Sequence, residues 1–461
     1  MREMRCFGAS GQLGYGVPRP AFLRGLELDP AYVGADMGSV DPGPYSLGSG
    51  EPIAGRLSRR SDIELLLTNS LKAGKPLLIG SAGTAGAEPH LTDTVELIRD
   101  VARERGLRFR MAVIRADVDR DVALDWMRAG RIRPFRGGPP ITEEGISSTT
   151  HLVGQMGVEP FIRALDAGAD VIVAGRACDA AVFAAAPIRA GFDPGLAMHV
   201  GKLVECTSQC AEPAGRDAVM AYLRDDHFLI ESLNPTRRCT PTSVAAHSLY
   251  EQANPYEVVE PGGTLDLSGS TYSAVDERVT RVAGSRWIRD TQYTIKLEGA
   301  ALVGHRAFSM GGVRDPILIG QIRTVADTVT ETVRGVLAEE IDPSRYEIRF
   351  RLYGIDGVLG DLEPVQMGQA HEAFVLIDVV GEDPEIARAV CGAAKQYFLH
   401  APYEGILGTG GNLAIPFGPD IHDGGPVYRF SVYNIAEVDD PYELFPMELV
   451  EVDGTVRVPS A

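Results

Sequence analysis

Long hydrophobic runs are missing from this chain. No stretch approaches the roughly 18 to 20 consecutive apolar residues a membrane span needs, and no basic-then-apolar leader opens the amino end. The expectation is a cytoplasmic protein with no membrane partner. Positive charge is also scarce: 44 Lys and Arg face 63 Asp and Glu, a net charge of −19. Nucleic-acid binding needs a basic face, so that partner class is excluded. An anionic small molecule is not, because a few arginines can reverse the field inside a cleft. The six cysteines, at 6, 178, 206, 210, 239 and 391, form no disulfide framework. Cys206 and Cys210 lie four apart without the second pair or histidine spacing of a zinc set. Repeats and low-complexity tracts are absent.

What is present fits a globular α/β protein, with 44% apolar and 23% charged residues. A chain of 461 residues is too long for one ordinary core. Residues 1–235 read as an α/β domain: a mostly parallel sheet, flanking helices and Gly-rich ligand-binding loops. Between 225 and 240 the helix–strand alternation gives way to β-leaning runs, and 236–461 read as an α+β domain.

Everything is arranged around Val33 to Gly50. A short buried strand from Tyr32 delivers Asp36 to its end, and a loop rich in Gly and Pro follows with Ser39, Asp41, Tyr45, Ser46 and Ser49. Glycine lets backbone approach a ligand closely, and proline removes freedom the loop would otherwise lose. Open α/β sheets bind ligands at such loops. The plainer alternative is a pair of Asx turns at Asp36 and Asp41.

Two further strand ends repeat the pattern. Pro76 to Gly80 runs into a loop carrying Ser81, Gly83, Thr84 and Gly86, with a helix read from Thr92 to Arg105. Such a loop presents N–H groups to an anion, or simply allows close packing. Ala169 to Gly175 is almost wholly apolar, as in a strand covered on both faces, and Arg176, Cys178 and Asp179 stand at its end. Three polar strand ends in one parallel sheet converge on one crevice. Lys202 and Glu205, three apart on a helix, share one face, in the site or as a surface ion pair.

Other stretches carry less. Gly8 to Gly14 imitates a dinucleotide fingerprint with Asp36 as its ribose acid. Gly16, Pro18 and Pro20 occupy the turns where its helix should run, so no nicotinamide site is expected. Ser61 to Lys72 reads as an amphipathic helix capped by Ser61, and Gly137 opens a loop. Tyr293 to Gly299 alternates as a half-exposed strand should. The apolar strand Ala301 to Met310 calls for cover from a neighbour, hence a homo-oligomer. Arg314 begins a strand or turn, and helices are read at 321–340 and 384–399.

Taken together, the segments from Val33 to Gly50, Gly80 to Gly86, Val173 to Asp179 and Val200 to Cys206 resemble the acyclic-terpene-utilisation (AtuA-type) family. So do Ser243 to Tyr256, Tyr293 to Ala300 and Arg314 to Ile319. They occur in the family's order over roughly 5–320, with a weaker fit beyond. The resemblance implies bacterial catabolism of branched acyclic compounds such as citronellol-type terpenoids, often with coenzyme A as the substrate carrier. Many relatives carry or are paired with a small ferredoxin-like domain, which here would be a separate companion subunit.

The residues themselves suit proton transfer on a small-molecule substrate. Asp36, Asp179 and Glu205 are the candidate catalytic acids, with Glu298 and Asp315 as alternative acids, and Ser39, Asp41, Ser81, Gly83, Thr84, Arg176, Lys202 and Arg314 are the candidate substrate contacts. A carboxylate can take a proton α to a carbonyl while an arginine binds the acid group and backbone N–H groups hold the enolate. A hydratase or dehydratase acting on a branched acid or its thioester needs only that equipment. An acyl or carboxyl transferase, a hydrolase and a non-catalytic scaffold are the alternatives. No G-x-S-x-G elbow is present, and Cys178 and Cys206 sit in apolar runs as packing residues. No cofactor is assigned, and a divalent metal on Asp36, Asp41 and Asp179 stays open.

Overall fold

Short apolar strands build the centre of the main sheet because every residue in them can be buried. Tyr32–Asp36, Leu77–Gly80 and Val171–Ala174 are buried throughout. The computed structural model of the chain describes residues 2–135, 140–365, 370–408 and 410–454. The first three positions of the loop expected at Gly137 lie outside these.

The fold is mixed α/β, a large mixed sheet with flanking helices. Ten strands pair in the order Thr271–Ala274, Thr280–Ala283, Phe228–Ser232, Val219–Arg224, Glu3–Ser10, Tyr32–Asp36, Leu77–Gly80, Val171–Ala174, Arg108–Ile114, Met447–Asp453. The five from Glu3–Ser10 to Arg108–Ile114 are parallel. The outer strands are added antiparallel at both sides. Helix-borne side chains close one core over the sheet, among them Ile63, Leu66 and Leu67 from Arg56–Lys72 and Leu97, Ile98 and Val101 from Glu88–Arg105.

The chain divides into two compact units, 1–301 with 430–461, and 302–429. The compositional shift at 225–240 falls inside the first. In the second, the Leu302–Val313 part of a long strand pairs with Ala373–Gly381, which pairs with Tyr346–Tyr353. Helices Ile322–Leu337 and Pro384–Leu399 pack their apolar stripes on it through Val329, Val333, Val390 and Phe398. The Ala301 to Met310 run thus has a partner strand within its own chain.

Several boundaries differ from expectation for local reasons. The helix ending at Lys72 begins at Arg56, so Ser61 lies inside it and Gly55 caps it. The extra turn is held by buried Arg59, whose Nε donates to the Ala54 carbonyl at 2.8 Å and whose guanidinium pairs with Asp93. The helix expected at Thr92 begins at Glu88, with Pro89 in its first turn. Pro18 and Pro20 do not abolish a helix: Arg19–Glu27 follows the glycine stretch with Pro18 as its cap residue and Pro20 in the first turn, where no N–H is needed. Tyr293 to Gly299 is mostly buried, not half exposed, because Leu297 to Ala301 pair with Thr149–Gly154. Arg314 leads into a four-residue helix, Pro316–Ile319, capped by Asp315.

Candidate active site

The crevice forms where four neighbouring parallel strands end. Ser10, Asp36, Thr84 and Asp179 come from the ends of, or the loops after, Glu3–Ser10, Tyr32–Asp36, Leu77–Gly80 and Val171–Ala174, and all four line one cavity of about 570 Å³. A second hollow of about 440 Å³ shares Asp41, Asp179, Glu205 and Glu251 with it and adds Arg176, Lys202, Glu260 and Lys296. This is the position at which open α/β sheets hold ligands.

Close backbone approach makes the crevice possible. At Gly86 (φ +68°) a Cβ would sit 2.1 Å from the Arg176 nitrogen, and at Gly11 one would sit 2.0 Å from the Glu205 carbonyl. Only glycine lets these loops lie against each other. Backbone strain gathers here too. Five described non-glycine residues have positive φ, and three of them, Thr84, Thr207 and Glu251, line the larger cavity. For a β-branched threonine at φ +101° that conformation is costly, and such strain concentrates at ligand sites.

Asp36 is buried. Its Oδ2 accepts the Gly38 N–H at 2.9 Å, and its Oδ1 has no partner. Burial holds this carboxyl well above the ordinary range, with Asp179 adding to the rise and Arg176 opposing it. Asp179, the first residue of the helix Asp179–Arg189, is pushed up to about 6 by burial, against the pull of Arg176. Glu205 is pushed up to about 8, again by burial first, with Lys202 opposing and Asp179 reinforcing. Three carboxyls at one crevice therefore hold protons unusually tightly.

The cations are committed to protein partners. Arg176 is 2% exposed and Glu298 is 0%. Arg176 donates from Nε to Glu298 Oε2 at 2.7 Å, and from Nη1 to the Ala177 carbonyl at 2.8 Å and to Asp179 Oδ1 at 3.3 Å. Lys296 Nζ lies 3.2 Å from the other Glu298 oxygen. Burial would raise the Glu298 carboxyl, but Arg176 and Lys296 outweigh it and hold it below its ordinary value. Lys202 Nζ contacts Glu205 at 3.2 Å and Glu251 at 3.6 Å and lies 4.4 Å over the Tyr250 ring. It is buried, so the bland reading of a surface pair with Glu205 fails.

Ser39 and Asp41 lie on the cavity wall, with Ser39 Oγ accepting the Asp41 N–H at 3.1 Å. Ser81 and Gly83 are not among the lining residues of either hollow. Ser81 Oγ accepts from Arg176 Nη1 at 3.3 Å and so braces the arginine, while Gly83 packs on His90. Arg314 belongs to the second unit, exposed, with Nη2 3.4 Å from His371 Nδ1. Among the described residues no three His, Cys, Asp or Glu side chains are grouped to hold a metal ion, so Asp36, Asp41 and Asp179 do not fit that role.

The glycine stretch also lines the cavity, through Gly11, Gln12, Tyr15 and Gly16. The N–H groups of Gly14 and of Gly16 and Val17 just beyond it have an acceptor within the chain. Asp62 accepts from Gly14, Gly16 and Val17 at 2.8 to 3.0 Å and occupies that anion position with its own carboxylate. The imitation of a dinucleotide fingerprint thus has an internal partner.

Over residues 67–416 the sequence matches the family described as "Acyclic terpene utilisation family protein AtuA". The chain belongs to the AtuA family. No curated protein and no solved structure matches it. Within the matched span of this AtuA-family chain lie Thr84, Arg176, Asp179, Lys202, Glu205 and Glu298. Among the described residues no helix is long and apolar enough to cross a membrane.

Sequence reasoning missed Lys296, Glu260, Arg216 and His247 as parts of the site, and held Glu298 only as an alternative acid. The charged pair Lys296 and Glu298 carried a usable signal: two opposite charges, i and i+2, point to one face of a strand otherwise rich in apolar residues. Nothing local marks Glu260 or Arg216. Asp315, held in reserve as an alternative acid, is a helix cap whose carboxylate takes the Ile317 N–H and the Tyr403 hydroxyl.

Proposed function

We propose that this protein serves acyclic terpene utilisation as an acid–base enzyme, a hydratase or dehydratase acting on a small branched acyl group. The observation that supports this is the placing of Asp36, Asp179 and Glu205 on one cavity with pKa values set apart by their surroundings. Near neutral pH, Asp179 at about 6 is mostly ionised while Glu205 at about 8 keeps its proton. Groups with separated pKa values divide naturally into base and acid.

In dehydration, Asp179 takes the proton α to the acyl carbonyl and Glu205 protonates the β-hydroxyl as it leaves as water. The C–H electron pair becomes the new double bond. Asp179 ends protonated and Glu205 ionised, and proton exchange with solvent resets both. Hydration runs the same steps backwards. Arg176 keeps part of the Asp179 carboxylate in place through the 3.3 Å contact, and Glu298 keeps Arg176 in place. Thiol-based acyl transfer is less well supported, since burial pushes the Cys206 thiol up to about 12 and leaves it protonated.

The test is deuterium exchange at the α-carbon of candidate branched acids and thioesters, read by mass spectrometry, with the pH–rate profile. Exchange is expected to peak between about pH 6 and 8, where one carboxyl is ionised and the other is not. Asp179→Asn should lower it by about 10²- to 10⁴-fold with folding intact. Full exchange in both Asp179→Asn and Glu205→Gln would sink the proposal.

A further inference from the structure

One sheet edge of the second unit is left without a neighbour. Tyr346–Tyr353 pairs with Ala373–Gly381 in an unbroken antiparallel register, and among the described residues no strand pairs with its other side. In an antiparallel pair the N–H and C=O of one residue face the same side, and those of the next residue face the other. The Arg345 carbonyl accepts the Glu382 N–H at 2.9 Å, so the odd-numbered residues face Ala373–Gly381 and the even-numbered ones face outward. The Leu352 carbonyl agrees, since it accepts the N–H groups of Ile355, Asp356 and Gly357 at 3.0 to 3.1 Å. That turn closes the edge at Leu352. From Tyr346 to Phe350 the edge stays open, and no described group hydrogen-bonds the outward main chain of Ile348 or Phe350.

Proteins blunt exposed edges with proline, bulges or a covering element. Tyr346 to Phe350, Y-E-I-R-F, has no proline and no bulge. A hollow of about 560 Å³ is lined by Ile348 and Phe350 of this strand and by Ala326 and Thr330 of Ile322–Leu337. Val358 and Leu359, 82% and 49% exposed, line it too. Apolar side chains grouped in the open at a hollow mark interaction surfaces.

The open stretch is complementary to itself. Ile348 packs in the core of the unit, while Glu347 and Arg349 stand on the exposed face. An antiparallel copy centred on Ile348 sets Ile348 against itself, Tyr346 against Phe350, and Glu347 against Arg349 in both directions. The even-numbered pairs exchange main-chain hydrogen bonds. Glu347 and Arg349 fall at the non-hydrogen-bonded positions, where opposed side chains come closest and unlike charges attract. Centring one residue either way would set Glu347 or Arg349 against itself. Just outside the open stretch, Arg345 and Arg351 keep their own carboxylates, Glu382 and Asp378.

We propose that a second copy of this chain docks on the Tyr346–Phe350 edge, strand against strand about a twofold axis at Ile348, and continues the sheet from one copy into the other. The same patch serves both copies, so the assembly closes at two chains. The acid–base chemistry of the first unit stands or falls separately.

Sedimentation velocity on the full chain tests this. The native chain should sediment as a dimer at micromolar concentration. Glu347→Arg makes the open stretch basic and Arg349→Glu makes it acidic, so each variant alone opposes like charges and should associate at least about tenfold more weakly. Mixed in equal amounts, the two variants meet with unlike charges at both positions and should recover the dimer. Ile348→Pro removes the central outward N–H, which the sheet of one chain does not use, and should abolish the dimer with the circular dichroism unchanged. If that variant does not fold, the two charge variants decide alone. A native chain that stays monomeric overturns the proposal. So do charge variants that dimerise as the native chain does, and a mixture that fails to recover.

Discussion

Two hollows of nearly equal volume, about 570 Å³ in the first unit and about 560 Å³ in the second, hold charged residues to different effect. The hollow of the second unit is lined by Arg323, Arg349, Arg351 and Asp356. Arg323 pairs with Asp356, and Arg349 pairs with Glu347 at 2.7 Å with both side chains more than half exposed. In the first unit Arg176 and Glu298 are sealed from water. At a separation of 4 Å, two unit charges interact by about 1 kcal/mol in water and about 4 kcal/mol at an effective dielectric of 20. Desolvation, not the number of charges, makes one hollow able to shift carboxyl pKa values towards working pH. Size and polar lining alone do not distinguish a site from a surface groove.

That contrast can be broken by removing one acid from the ion pairs of each unit. Glu298→Gln leaves Arg176 and Lys296 buried without their carboxylate, and should cost about 3–5 kcal/mol of stability in urea unfolding. A loss under about 1 kcal/mol would show that water reaches the pair and that the two hollows are alike.

Asp62→Ala tests a buried carboxylate of a different kind, one satisfied by backbone. It removes the acceptor of the three glycine-stretch N–H groups and should cost about 1.5–3 kcal/mol. Phosphate-dependent stabilisation of the variant would show that the vacated N–H groups can hold an external anion.

The pH dependence sharpens the comparison further. Asp179 and Glu205 have folded-state pKa values raised to about 6 and about 8, so the folded chain binds more protons than the unfolded chain between the ordinary carboxyl range and those values. Their contribution to stability is full below the ordinary carboxyl pKa and is lost as pH rises through about 6 and then about 8. Glu205→Gln should therefore gain stability relative to the native chain as pH rises from 5 to 8, followed by urea midpoints. A pH-independent difference would remove Glu205 from the list of shifted groups. The smallest effect belongs to the second unit, where Glu347→Gln should change stability by less than about 1 kcal/mol, and less still at high salt.

The parallel core was legible because its strands are uniformly apolar, and Asp36, Thr84 and Asp179 were legible because each stands at or just beyond the end of such a strand. Helix starts were harder to read. Pro20 and Pro89 sit in first turns, where proline is harmless, yet proline inside a helix usually argues for its end. The first strand runs on through Gly8 to Ser10 rather than ending before the glycine stretch, and the anion on the N–H groups that follow is Asp62, 48 residues beyond Gly14. A short-range pattern cannot show a long-range acceptor.

By itself, the sequence determined the apolar strands, the acids and glycines at their ends, and membership of the AtuA family, since all three are written in local pattern and order. Tertiary structure alone decided what those acids are. Arg176 meets Glu298 across 122 residues, and Lys202 faces Glu251 as well as its near neighbour Glu205. Asp36, Asp179 and Glu205 become tight proton holders only because folding buries Asp36 and Glu205, half-buries Asp179 and sets their charges against one another. Protonation depends on distance and desolvation, and both are properties of the packed chain.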